Sequence, residues 1–118
     1  MQTTFRMTKI LLTTTIAFAG LAAVARSAAA QDAKQGEKVY TAQKCQVCHS
    51  IASKGGKASA LDGVGGKLSA DEIRHWIVDP TDAAAKAKST KKPPMPAKYK
   101  TLPAADLDAL VAYMQSLK

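Results

Sequence analysis

The stretch "KCQVCHS", Lys44–Ser50, holds both cysteines of the chain and one of its two histidines. Cys45 and Cys48 stand at i, i+3, and His49 at i+4 from Cys45. On a helical turn these positions share one face. A Cys2His2 zinc site would need His75 as its fourth ligand. That histidine is 26 positions from His49, where such sites use three to five intervening residues, and adjacent Cys48 and His49 chelate one ion awkwardly. A thioredoxin-like dithiol needs a strand before the motif and a βαβ pattern around it. Neither is visible. A plain local disulfide would leave His49 without a purpose.

Cys-x-x-Cys-His reads instead as a c-type haem attachment motif. Two cysteines on one face reach the two vinyl groups along one edge of the macrocycle, and the histidine points beneath the iron. The composition of the remaining chain agrees with this. Residues 1–30 open with Arg6 and Lys9, continue through an apolar run from Ile10 to Ala25, and end in Ala28-Ala29-Ala30. That order describes a secretory signal peptide, cut after Ala30 with Ala28 as the alternative site. The predicted mature domain, 31–118, keeps 14 Val, Ile and Leu in 88 residues, about 16%, and both phenylalanines leave with the signal. So small a core needs help from a staple or cofactor, and a porphyrin supplies apolar volume.

Charge narrows the partners. The chain carries 17 basic residues, three of them before residue 31, and nine acids, all after it. The mature domain is therefore 14 − 9 = +5. A basic exported protein meets acidic proteins or membrane surfaces, whereas nucleic acid is excluded by compartment and by the lack of aromatics among the lysines. No segment after residue 30 is apolar enough to span a bilayer.

Local signals place the motif among helices. Residues 32–44 read as a helix, with Asp32 at its start and Val39 and Tyr40 on its apolar edge. Residues 50–67 carry five glycines and read as loop without strands. Ser69-Ala70-Asp71-Glu72 is a capping box leading to Ile73, Trp76 and Ile77, and Asp79-Pro80 ends that helix. One further turn is expected at 81–86, then a lysine- and proline-rich loop. Leu107, Leu110, Val111, Met114 and Leu117 form the stripe of a last helix.

For the second axial ligand, the candidates outside the signal are Met95, Met114 and His75. Met114 lies on an apolar stripe and reads as core. His75 lies off the Ile73/Trp76/Ile77 stripe and reads as a solvated surface residue. Met95 sits between Pro94 and Pro96, whose fixed φ angles limit the loop's freedom, and reads as the ligand.

With Gly36…Tyr40 before Cys45-Gln46-Val47-Cys48-His49, then Leu61-Asp62-Gly63-Val64-Gly65, Ile73-Arg74-His75-Trp76-Ile77, Pro94-Met95-Pro96 and the closing Leu110-Val111-Ala112-Tyr113-Met114-Gln115-Ser116-Leu117, residues 31–118 resemble the small class I monohaem cytochromes c. The resemblance implies an all-α fold of three to four short helices and long loops around one covalent haem c. It implies crossed terminal helices meeting at Gly36, and Trp76, with Tyr99, packed near the haem. One departure stands out. No proline occurs between His49 and Pro80, where the family often uses a proline carbonyl to hold the proximal histidine; a backbone carbonyl near Ala60 is the substitute expected here.

A His49/Met95-ligated iron has no open position, and a methionine ligand raises its potential. The expected function is a soluble periplasmic single-electron carrier, not an enzyme. It would connect a dehydrogenase or quinol complex to a terminal oxidase or reductase of a respiratory chain. Two alternatives are the electron-accepting subunit of a dehydrogenase complex, and a haem enzyme or gas sensor from which Met95 departs. Lys54, Lys57, Lys86, Lys88, Lys91, Lys92, Lys98 and Lys100 would form a positive rim that steers acidic redox partners.

Overall fold

The computed structural model describes residues 15–118, with side chains from residue 29 onward. Arg6 and Lys9, the basic start of the expected signal peptide, lie outside the described residues. The chain separates into two compact units, Met1–Ala30 and Gln31–Lys118. The second carries both cysteines and both histidines.

Helix α1 runs Thr15–Ala42. The expected start at Asp32 is therefore wrong: the alanines before it are the best helix formers and carry the helix through. It stops where Lys44 adopts a left-handed φ of 58°. A single 3-10 turn, Cys45–Val47, comes next, and then three short strands, β1 (His49–Ile51), β2 (Lys54–Gly55) and β3 (Ser59–Ala60). Their order is β2-β1-β3, with β1 antiparallel to β2 and parallel to β3. These strands correct the strandless expectation. At two or three residues each they carry no side-chain alternation, and their pairing is made by backbone alone.

Helix α2 (Val64–Lys67) is a single turn. Helix α3 (Ala70–Val78) begins with the full capping box: the Ser69 side chain accepts from Glu72 N–H, and the Glu72 carboxylate accepts from Ser69 N–H. Asp79 ends α3 and caps α4 (Pro80–Lys86), where Pro80 occupies the first helical position, the one that tolerates a missing N–H. A 3-10 helix, Ala97–Thr101, interrupts the lysine-rich loop, and α5 (Ala104–Ser116) closes the chain. The fold is thus helical as expected, with α2 and the 97–101 turn added to the helices foreseen.

The core gathers Val39 and Tyr40 from α1, Ile73 and Ile77 from α3, Tyr99, and Leu110, Val111 and Met114 from α5. Tyr40 meets Tyr113 edge to face, with ring centroids 5.8 Å apart and planes at 69°, the arrangement that the ring quadrupoles favour. Among the described residues, no large side chain is fully buried. The core residues keep 4% to 8% of their surface exposed, so the chain's own side chains leave this small core incompletely covered.

Candidate functional site

The motif leaves α1 as one tight turn. The Cys48 N–H donates to the Cys45 carbonyl across 3.2 Å. In a 3-10 turn, residues at i and i+3 eclipse, so the two thiols stand on one side although the turn is not α-helical. Both are free. Cys45 is half-buried and packs against the core, while Cys48 is exposed. Burial pushes the Cys45 thiol up; its backbone hydrogen bond and Lys98 pull it back, and Cys48 adds to the rise.

His49 departs from the expected i+4 geometry, because it opens β1 rather than continuing a helix. Three contacts hold it. Tyr40 donates its hydroxyl to the His49 carbonyl at 3.2 Å. β1 pairs His49 with Ser59. The His49 Nδ1 lies 3.1 Å from the Ser59 carbonyl, one residue from the position expected. A carbonyl can only accept, so Nδ1 carries the proton and Nε2 keeps its lone pair. Burial holds the imidazole below its usual value, opposed by the Ser59 contact, which favours the neutral form that binds metals. Among the described residues, no side chain or backbone group takes Nε2.

Met95 is set apart from its loop. From Ala85 to Lys98 every residue is exposed except Met95, which is half-buried and packs against the core cluster that Cys45 also touches. Tyr99, buried four residues on, has its hydroxyl pushed up by burial and then by Cys45 and Cys48. Met114 is buried core.

The remaining candidates divide. Trp76 is half-buried in a cleft with Leu68, His75, Ala83 and Ala87. His75 corrects its expectation. It is half-buried and its Nε2 sits 2.8 Å from an Asp82 carboxylate oxygen, because Pro80 turns α4 back so that its first turn faces the last turn of α3. Lys54, Lys57, Lys91, Lys92 and Lys98 are all exposed, and Lys98 Nζ lies 5.1 Å from the centre of the Tyr99 ring. No acid occurs from Ala83 to Ala105. Sequence reasoning missed Ser59 and Asp62, the latter accepting the Ala52 N–H at 2.8 Å; neither contact has a periodic signal.

These features fit a covalent haem: two free thiols at the two ends of one turn, a neutral imidazole with one nitrogen anchored and the other open, and a small core against which Cys45 and Met95 both pack. When bound, the haem supplies an iron centre that takes and releases one electron. Comparison with known families adds a direct finding. The family described as Cytochrome c matches residues 33–118. No curated protein and no solved structure matches the chain. With most of its length inside that match, the chain belongs to the cytochrome c family, whose members carry a covalently bound haem c with iron and act in electron transfer.

Proposed function

We propose that the chain is an exported, periplasmic single-electron carrier, cleaved after Ala30, whose haem c is attached through Cys45 and Cys48 and ligated by His49 and Met95. The observation that carries the ligand pair is the isolation of Met95: one half-buried thioether, packed on the core, in a run of exposed residues. A loop methionine with no inward partner would have no reason to leave solvent alone among its neighbours. His49 and Met95 would hold the iron between them, and the haem would then supply one-electron exchange without bonds to substrate. Tyr99 and Trp76 pack beside the haem, and the exposed lysines Lys54, Lys57, Lys91, Lys92 and Lys98 steer acidic redox proteins to it.

A redox titration of the purified holoprotein with visible spectra tests this reading. The ferric form is expected to be low-spin with a sulfur-to-iron band, which disappears in Met95→Ala. A high-spin wild-type spectrum would sink the carrier reading and favour an enzyme or gas sensor.

A second reading, the haem subunit of a dehydrogenase complex, draws on Val47. It is the exposed large hydrophobic of the described residues, 68% accessible between the two cysteines, where a seated partner would cover it. Size-exclusion of native extract separates the two: a stoichiometric large partner supports the subunit, and elution as a free small protein supports the carrier.

A further inference from the structure

We infer that Asp62 is a positioning residue for the iron ligand, acting through the loop that holds His49 Nδ1. The inference rests on the proposed reading of His49 as that ligand.

The hairpin after the motif uses a turn its residues do not favour. β1 and β2 are joined by Ala52 and Ser53, both left-handed, with φ of 50° and 64°. A two-residue connection with both centres left-handed is normally the province of Asn and Gly, because a Cβ there crowds the following carbonyl oxygen. Asp62 offsets part of that cost. Its Oδ1 accepts the N–H of Ala52 at 2.8 Å, tying the turn to the far end of the loop. The neighbouring Leu61 N–H donates to the Ser50 carbonyl at 2.8 Å.

Immediately before these two ties in the chain lies β3, whose Ser59 carbonyl takes the His49 Nδ1. At the near end of β3 the contacts are longer: the Ala58 and Ser59 N–H groups share the Cys48 carbonyl at 3.1 and 3.4 Å. A proline at this place would stiffen the carbonyl through its own fixed φ. Here no proline is present, and the rigidity comes from a carboxylate three residues further on that closes the loop 52–62 across the strand pair.

The test uses the holoprotein as wild type, Asp62→Ala and Asp62→Asn. Two quantities are read: the hydrogen-exchange rate of His49 Nδ1–H by NMR, and the reduction potential. In Asp62→Ala the exchange rate is expected to rise about threefold to tenfold, the range one net hydrogen bond allows. The potential is expected to shift upward, because a looser Nδ1–H bond leaves the imidazole a weaker donor to ferric iron. Asp62→Asn keeps the accepting oxygen and should return both readings toward wild type. Lowered thermal stability with unchanged exchange and potential would make Asp62 merely structural and overturn the inference.

Should Asp62→Ala fail to load haem, the wild type alone decides. If one loop opening releases both groups, the protection factors of Ala52 N–H and His49 Nδ1–H, each taken against its own unprotected exchange rate, agree within about threefold. Protection factors about tenfold or more apart overturn the inference. A His49 resonance lacking the paramagnetic shift of an iron ligand would overturn the ligation reading and this inference with it; a shifted resonance indifferent to Asp62→Ala overturns this inference alone.

Discussion

The backbone of Gly36 in α1 lies against the Ala109 carbonyl in α5 so closely that a Cβ at position 36 would overlap it, and would crowd the Tyr113 Cβ as well. The obstacle is backbone, which cannot rotate aside. Gly36→Ala should therefore destabilise the holoprotein by about 2–3 kcal/mol, toward the upper end of overpacking costs, although alanine is the better helix former. Guanidinium unfolding followed through the haem absorbance measures it. A change below about 0.5 kcal/mol, the range of harmless surface substitutions, would show that the two helices do not meet this closely.

Without covalent haem the core should not hold. Cys45→Ala/Cys48→Ala is expected to lose most of its helical circular dichroism, because no large described side chain is fully buried even in the folded chain and the apolar complement is small. Native-like helicity in the haem-free variant would refute the dependence.

Tyr40 predicts an alkaline signature. Burial, then Cys45 and Tyr113, push its hydroxyl up to about 12, above the ordinary value of 10.0. The raised folded value means that Tyr40 contributes stability in full below about pH 10, where it is protonated in both states. That contribution falls as pH rises through about 12. Conversion of Cys45 to a thioether removes its share of the shift and leaves the burial. Ultraviolet difference titration should lose its latest-titrating tyrosine in Tyr40→Phe, whose stability should also fall less steeply above pH 10.

The Ala52-Ser53 turn offers a gain of stability. Ala52→Asn with Ser53→Gly supplies residues that tolerate left-handed φ and should add about 0.5–1 kcal/mol. Thermal unfolding reads it out; a lower midpoint would mean that the turn is not left-handed at both centres.

Docking should depend on charge. Lys91→Glu/Lys92→Glu is expected to slow electron exchange with an acidic redox protein about tenfold at low ionic strength, with the difference shrinking as salt screens it. A flat salt response in the wild type would remove the steering role.

What could be read in advance was local. The capping box at Ser69 and Glu72 and the stripe of α5 each depend on neighbours within a few positions, and the structure contains both. What could not be read depends on distant backbone. The Ser59 carbonyl meets His49 because β1 and β3 pair in parallel, and strands of two or three residues leave no periodic trace. Asp82 reaches His75 only because the chain reverses at Pro80. The early start of α1 has a different cause: Asp32 looks like a capping residue, yet the alanines that precede it propagate the helix past it.

The sparse core has a consequence for how this protein comes into being. If haem completes that core, the chain without it opens to proteases more often than the loaded one. Attachment of haem would then act as a checkpoint of manufacture, with survival as its readout.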